Sequence, residues 1–196
     1  MNHYFTEQNQ SPINRREIPF RFFGLDFNLV SSDAIFSKKL IDKGTLVLLE
    51  YVIKDGLKGT VLDLGCGIGV VGIALKKKFP ELKISLSDVT SHAVELAQEN
   101  IKAQGLEMDV ILSDGFANIP VQFDSILLNP PIRAGKAVIY RLFEESLEHL
   151  KANGKLYIVM MKKHGLDSAI RFFESKNTKV TKLGHRSNYH VLKIEK

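Results

Sequence analysis

An asparagine followed by two prolines, Asn129-Pro130-Pro131, comes directly after an apolar run that ends at Leu128. An exocyclic amine on an aromatic ring is a poor nucleophile, and acceptors that bind its two hydrogens can redirect its lone pair towards an electrophile. The carboxamide oxygen of Asn129 is one such acceptor. The Pro130 carbonyl is predicted to be the second, because paired prolines are rigid and supply no N–H donors. The segment therefore predicts a catalytic site for amine alkylation, with simple strand termination as the alternative.

A glycine-rich segment, Asp63-Leu64-Gly65-Cys66-Gly67-Ile68-Gly69, lies upstream between a predicted strand and a predicted helix. Its glycines allow a sharp turn and the close approach of a ligand. Residues 67–72 also fit the dinucleotide-binding pattern, which would favour NAD. A carboxylate at Asp63, however, would repel a pyrophosphate and could bind the ammonium group of S-adenosylmethionine, directly or through water. We therefore expect S-adenosylmethionine to be bound by Asp63, Gly65, Cys66 and Gly67, and also by Asn129.

Two further acids, Asp88 and Asp114, follow the next two predicted strands. The carboxyl ends of parallel strands meet at one edge of a sheet, where a carboxylate can accept hydrogen bonds from both hydroxyls of a ribose. We expect Asp88, with its neighbour Val89, to bind this ribose, although Asp88 could instead cap the following helix. Ser113 and Asp114 are expected to face the adenine group, with a turn-forming Asp-Gly pair as the competing interpretation.

Basic residues are placed near these motifs in a chain whose net charge is +5. Arg133 and Lys136 directly follow the Asn-Pro-Pro segment, and Lys162-Lys163 follow another predicted strand. Such groups could hold phosphates around an extruded base, whereas a solvated surface is the alternative for each pair. The pattern favours a nucleic-acid partner.

Length and composition limit the remaining possibilities. With 196 residues and 44% hydrophobic content, the chain can bury one sizeable core, so we expect a single domain over residues 16–196 after a flexible segment at 1–15. The apolar runs are too short to cross a membrane and the first residues lack signal-peptide order, which favours a cytoplasmic protein. The single cysteine, Cys66, and the unpaired spacing of the histidines predict neither a disulfide nor a metal site.

Hydrophobic periodicity predicts a hairpin from Arg16 to Val30, followed by alternating strands and helices. The predicted strands are 60–64, 82–88, 108–112, 123–128, 155–161, 178–183 and 189–195, and the predicted helices are 43–54, 70–79, 90–104, 136–150 and 165–175. This order predicts an α/β fold in which a mostly parallel seven-stranded sheet has an antiparallel end and helices on both faces.

Several motifs together resemble those of the RsmC-like small-domain class I methyltransferases, the family of a 16S ribosomal RNA guanine N2-methyltransferase. The resemblance extends from about Phe20 to the C-terminus and rests on Phe36-Ser37, Asp42-Lys43-Gly44-Thr45, Leu48-Leu49, the glycine segment, Asp88 and Asn129-Pro130-Pro131. It implies a Rossmann-like fold, S-adenosylmethionine as the cofactor, and ribosomal RNA or the small ribosomal subunit as the partner. It also implies that Asp63, Gly65 and Gly67 contact the methionine end, Asp88 the ribose, Asp114 the adenine region and Asn129 the target amine.

One position departs from the pattern of many amino methyltransferases, in which Tyr or Phe follows Asn-Pro-Pro and stacks on the target base. Ile132 stands there instead, and we expect it to bind the substrate RNA together with Phe36, Arg133 and Lys136. Stacking on the base is then expected to come from elsewhere, with Phe36 or Phe116 as candidates. Methylation of a protein glutamine or of another nucleobase amine is the alternative function. An NAD(P)-dependent reductase and a noncatalytic RNA-binding protein are further alternatives.

Overall fold

The computed structural model describes residues 15–32 and 41–196, in which strands and helices alternate. The elements, in chain order, are β1 (Arg15–Phe22), β2 (Leu25–Ser32), α1 (Lys43–Asp55), β3 (Thr60–Leu64), α2 (Val70–Lys78), β4 (Lys83–Asp88), α3 (Ser91–Ala103), β5 (Asp109–Leu112), β6 (Phe123–Leu128), α4 (Lys136–Glu148), β7 (Leu150–Met161), α5 (Leu166–Ser175), β8 (Lys179–Arg186) and β9 (Tyr189–Glu195).

Seven strands form one sheet in the order β5-β4-β3-β6-β7-β9-β8. The first five strands of this order are parallel to one another, whereas β9 pairs antiparallel with both β7 and β8. The predicted Rossmann-like fold with an antiparallel end is thereby confirmed.

Each face of the sheet is covered by its own apolar core, because successive strand residues point to opposite faces. On one face, α1, α2 and α3 pack against strand residues such as Val61 and Leu127. On the other face, α4 and α5 pack against residues such as Leu62 and Leu128. Central strands buried on both faces explain the near-continuous apolar runs in the sequence.

The predicted N-terminal hairpin is present as an antiparallel pair of β1 and β2. Its turn residues Phe23 and Gly24 both have positive φ, 50° and 77°, which suits a two-residue hairpin turn. The hairpin packs onto the first core through the buried side chains of Ile18, Phe27 and Leu29.

Buried Asn100 of α3 attaches this hairpin to the rest of the domain. Its Oδ1 accepts a hydrogen bond from the Val30 backbone N–H at 2.6 Å, and its Nδ2 donates to the Val30 carbonyl at 2.9 Å and to the Ile68 carbonyl at 3.0 Å. One side chain thus joins the hairpin to the glycine-rich segment.

The boundary between α4 and β7 differs from the prediction. The helix was expected to reach residue 150 and the strand to begin at 155, but α4 ends at Glu148 and β7 already begins at Leu150. The register with β6 shifts between Phe123 and Ser125, so a bulge accommodates the extra residues of β7. Asn153 adopts a positive φ of 62° within the strand, so the Asn-Gly pair bends the strand here rather than preceding it.

The segment 1–15, which we expect to be flexible, lies outside the described residues except for Arg15, the first residue of β1.

Candidate functional site

The carboxyl ends of β5, β4, β3 and β6 form one edge of the sheet. The register places Leu64 beside both Ser87 and Leu128, and Asp88 beside Leu112. The residues that follow these strands therefore lie in a row: Ser113-Asp114, Asp88, the glycine-rich segment and Asn129.

The strand order reverses between β3 and β6 at this edge. From β3 the chain passes through α2 and α3 on one face to β4 and β5, whereas from β6 it passes through α4 on the other face to β7. In open α/β sheets, ligands bind in the crevice at such a reversal, outside the carboxyl ends of the strands. The glycine-rich segment and Asn129 directly follow β3 and β6, the two strands between which the order reverses.

The glycine-rich segment is held by the neighbouring strand β4. The backbone N–H groups of Gly65 and Cys66 both donate to the Ser87 carbonyl, at 2.8 and 2.9 Å. Gly67 has a φ of 54°, and a methyl group added at Gly65 or Gly67 would meet no atom within 4 Å. The segment therefore presents bare backbone to open space, where a ligand can approach closely.

Cys66 is buried within this segment, and burial raises the pKa of its thiol. A neutral buried thiol is a packing group rather than a nucleophile.

Asp63 is buried on β3, with 4% of its surface exposed. Its Oδ2 accepts a hydrogen bond from the Gly72 backbone N–H of α2 at 3.1 Å. Burial raises the pKa of Asp63 to about 7, the Asp88 charge also raises it, and the Gly72 hydrogen bond lowers it. A cation bound nearby would favour the ionised form of Asp63. The proposed contact with an ammonium group stays a prediction, which the pH dependence of cofactor binding can test.

Asp88 ties the segment to the start of α3. Its Oδ2 accepts from the Gly67 N–H at 2.9 Å, and its Oδ1 accepts from the backbone N–H and hydroxyl of Thr90 at 3.1 and 3.2 Å. The helix cap is Thr90, whose hydroxyl accepts from the Ala93 N–H at 3.3 Å. The alternative that Asp88 caps α3 is therefore wrong, and ribose binding by Asp88 and the half-buried Val89 stays a prediction.

Ser113 and Asp114 lie at the end of the row, after β5. The buried Ser113 hydroxyl donates to the Gly115 carbonyl at 2.9 Å and accepts from the Asn118 N–H at 3.0 Å, so it stabilises the turn. Asp114 pairs with Arg141 of α4 at 2.6 Å. Their contact with an adenine group stays a prediction.

Asn129 is half-buried directly after β6, and its side-chain amide is fixed at the start of α1. Its Nδ2 donates to Asp42 Oδ2 at 2.9 Å and to Thr45 Oγ1 at 3.0 Å. The Pro131 carbonyl accepts from the Ala134 N–H at 2.9 Å in a short 3-10 helix. Pro130 therefore remains the predicted source of the second acceptor carbonyl.

Asp42 and Thr45 are functional candidates to which the sequence assigned no role. They belong to the Asp-x-Gly-Thr motif, and Asp42 is also the N-cap of α1, accepting from the Thr45 N–H at 2.9 Å. Their capping spacing can be recognised in the sequence, but their contact with Asn129, more than 80 residues away, depends on the fold.

Three of the predicted substrate residues, Ile132, Arg133 and Lys136, follow the Asn-Pro-Pro segment. Arg133 and Lys136 are exposed after the Asn-Pro-Pro segment, and Ile132 packs partly against the second core. Phe36 lies outside the described residues. Phe116 is buried with 6% exposure and stacks on His149 at 4.2 Å between ring centroids, which places its ring in the core rather than against a base.

Residues 15–32 and 41–196 contain no group of three or more His, Cys, Asp or Glu side chains placed to hold a metal ion. Within the same ranges, none of the helices has the length and apolar character needed to span a bilayer.

Comparison of the sequence with known families matches residues 26–193 to the model of the Methyltransferase small domain. The chain is 39% identical over 197 residues to the uncharacterized protein YbxB of Bacillus subtilis, covering 99% of this chain and 98% of that protein. It is 40% identical over 139 residues to the Ribosomal RNA small subunit methyltransferase C of Actinobacillus pleuropneumoniae, covering 68% of this chain. The chain thus spans nearly all of the first relative but only 42% of the length of the second.

Among solved structures, the fold is similar to that of the T. thermophilus 16S rRNA N2 methyltransferase RsmC in complex with AdoMet and guanosine. The TM-score is 0.82 at 23% sequence identity, with 96% of this chain and 52% of that chain covered. This similarity establishes the fold.

Proposed function

The chain belongs to the Methyltransferase small domain family, whose members use S-adenosylmethionine, and we propose that it methylates the exocyclic N2 amine of a guanine in 16S ribosomal RNA. The observation that carries this proposal is the orientation of Asn129. Its amide nitrogen donates to Asp42 and to Thr45, so the carboxamide oxygen points away from these two residues and can accept from a substrate. An acceptor at this place suits an amine substrate.

The described residues fit the cofactor along the row of strand ends. Open space at Gly65 and Gly67 leaves room for a ligand against the backbone, and Asp63 and Asp88 supply carboxylates on the adjacent strands β3 and β4. Residues on β4 and β5 would hold the nucleoside part, and the glycine-rich segment next to Asn129 would hold the methionine part. When bound, S-adenosylmethionine supplies an electrophilic methyl group.

The protein's own contribution is to orient the amine and to stabilise the charge that develops on it. The Asn129 oxygen and the Pro130 carbonyl accept the two amine hydrogens, which aligns the nitrogen lone pair with the methyl group. As the nitrogen becomes positive, the same two oxygens stabilise it electrostatically. Methyl transfer breaks the bond from sulfur to the methyl carbon and leaves a neutral thioether. The methylated nitrogen then releases one of its own two hydrogens as a proton to solvent, so no metal ion is needed for this step.

Ribosomal RNA is proposed as the substrate because of the relatives' names and because Arg133 and Lys136 are exposed beside the Asn-Pro-Pro segment. An RNA substrate of this kind implies that the protein acts where ribosomes are assembled, in the cytoplasm.

Methyl transfer from labelled S-adenosylmethionine to 16S RNA and to small subunits from a deletion strain tests the proposal. We expect one N2-methylguanosine, absent in the deletion strain and restored by the purified protein. Label on a protein glutamine, or on another base, would replace this proposal by the alternative that also uses an Asn-Pro-Pro motif.

Replacing Asp88 by Ala is expected to weaken S-adenosylmethionine binding by about 1.5 to 3 kcal/mol, because hydrogen bonds to a charged acceptor are lost. Part of the lost binding free energy is indirect, because the Gly67 N–H also loses its hydrogen-bond partner when Asp88 is replaced. Asp88→Asn is the matched control, since it keeps an acceptor for Gly67 while removing the charge. Calorimetry with S-adenosylmethionine and with NAD measures the effect, and unchanged affinity in the Ala variant would exclude the ribose contact.

Replacing Arg133 and Lys136 together by Ala is expected to weaken RNA binding and to reduce the slope of log affinity against log salt by at most about two. Lys83→Ala with Lys102→Ala is a charge-matched control, because these exposed lysines line a hollow of about 670 Å³ at the opposite edge of the sheet. Filter binding over a salt series distinguishes the two pairs. If only the control pair changes the slope, RNA is bound at the other edge.

A further inference from the structure

The side-chain amide of Asn129 is held by two residues from the start of α1. Its Nδ2 lies 2.9 Å from Asp42 Oδ2 and 3.0 Å from Thr45 Oγ1. An ionised carboxylate can only accept hydrogen bonds, so the amide nitrogen and not the oxygen must face Asp42. The orientation of the Asn129 amide is therefore determined by the chemistry of its neighbour.

We propose that Asp42 and Thr45 are positioning residues that keep the Asn129 carboxamide in the one orientation that presents its oxygen to the substrate amine. This inference rests on the proposed amine methylation. Rotating the amide by half a turn would place its NH₂ group where the acceptor is needed. The NH₂ group of Asn129 and the amine of the substrate, both donors, would then face each other. Without a partner for Nδ2, both orientations would be populated.

Asp42 is itself held firmly, which makes it suitable for this task. The same Oδ2 atom that binds Asn129 accepts the Thr45 backbone N–H as the N-cap of α1. A side chain at Gly44 would come within 2.9 Å of both this oxygen and the Tyr189 ring. Glycine at position 44 therefore leaves Asp42 room between the helix start and β9.

The carboxylate also has an electrostatic effect through the amide. An N–H group that donates to a charged acceptor is polarised, which increases the negative charge on the carbonyl oxygen of the same amide. The Asn129 oxygen becomes a stronger acceptor just where positive charge develops on the amine nitrogen. Asp42 thus acts on the reaction without touching the substrate.

Thr45→Val is the first test, because it removes the hydroxyl that accepts from Asn129 while retaining the backbone N–H that Asp42 caps. We expect kcat for methyl transfer to fall roughly tenfold with unchanged KM for S-adenosylmethionine, and Thr45→Ser to recover most of the rate. Equal rates for the Val and Ser variants would overturn the role of Thr45.

Asp42→Ala is expected to lower kcat by roughly ten- to a hundredfold, and Asp42→Asn to recover a large part of it, because the amide oxygen of Asn can accept the same hydrogen bonds. The double variant Asp42→Ala with Asn129→Ala should be no slower than Asn129→Ala alone, because Asp42 acts through Asn129. Multiplying effects in the double variant would mean that Asp42 merely stabilises α1 and would overturn the proposal.

A readout that needs no substrate separates this inference from the proposed function. In ¹⁵N NMR spectra, both side-chain amide protons of Asn129 should exchange slowly in the wild type, and one should become fast in Thr45→Val and in Asp42→Ala. Fast exchange of both protons in the wild type would overturn the positioning role even if ribosomal RNA is methylated. Slow exchange in a protein that methylates no RNA would retain the positioning role and reject only the RNA substrate.

Discussion

Asn129→Ala is expected to lower kcat for methyl transfer by roughly a hundredfold or more while S-adenosylmethionine still binds. Asn129 lies at the end of β6, beside the glycine-rich segment rather than within it, so its loss leaves the other proposed cofactor contacts intact. The lost hydrogen bond becomes important only when the amine is aligned with the methyl group, and the effect therefore falls on the transition state. Single-turnover methyl transfer to 16S RNA measures the rate, and calorimetry measures the binding of S-adenosylmethionine. Wild-type rate constants in the Ala variant would reduce the Asn-Pro-Pro segment to a strand terminator.

Asn129→Asp provides a sharper comparison because of its neighbour. From the sequence, this variant is expected to retain more activity than the Ala variant, since it keeps an acceptor oxygen. The structure adds that the new carboxylate would replace an amide nitrogen only 2.9 Å from Asp42 Oδ2. Two carboxylates this close share a proton, and repulsion raises one pKa. We therefore expect activity above that of Asn129→Ala at low pH and a decline towards the Ala rate as pH rises and the shared proton is lost.

The second large effect that we predict is a pH dependence of the free energy of unfolding, and it comes from Asp63. Burial raises the pKa of this carboxyl in the folded protein to about 7, above its ordinary value of 3.8. The folded state therefore binds the proton more tightly than the unfolded state, and the free energy of unfolding falls as pH rises between these two values. The loss approaches about 4 kcal/mol above pH 7, at 1.36 kcal/mol for each pKa unit.

Comparing the wild type with Asp63→Asn isolates this contribution. The amide does not titrate, so the stability of the variant relative to the wild type should rise by up to about 4 kcal/mol from pH 4 to pH 8, whatever constant cost the substitution adds. Urea unfolding at a series of pH values measures the difference. A difference independent of pH would show that Asp63 titrates normally and is not desolvated.

Much of the fold could be predicted because local patterns and tertiary packing agree. Within a few residues, the apolar run at 60–64 forms a strand, and the glycines with positive φ that follow it form the turn that leads into α2. The β7 start was harder to predict, because a bulge opposite Phe123 and a left-handed Asn153 continue a strand through residues that usually form a turn. Such a continuation depends on the partner strand and not on the local sequence.

The placement of the candidate site residues could be predicted where parallel strands bring their ends together, and less well where side chains from distant elements meet. The glycine-rich segment, Asp88 and Asn129 are neighbours because parallel strands bring their carboxyl ends to one edge. The bonds from Asn129 to Asp42 and Thr45 depend on where α1 packs, and spacing alone could not predict them. The reductase alternative is wrong, because the chain belongs to a methyltransferase family.

Asn100 also determines how small an autonomous version of this domain can be. The family match begins at residue 26, inside the hairpin, yet Asn100 pairs with both backbone groups of Val30 and with the Ile68 carbonyl. A fragment that began at α1 would leave two of these three bonds unmade at a buried amide, beneath apolar surface that Ile18, Phe27 and Leu29 no longer cover. The hairpin is therefore an integral part of the folding unit, and the domain cannot be shortened to its Rossmann-like core without disturbing the glycine-rich segment, which we propose borders the cofactor.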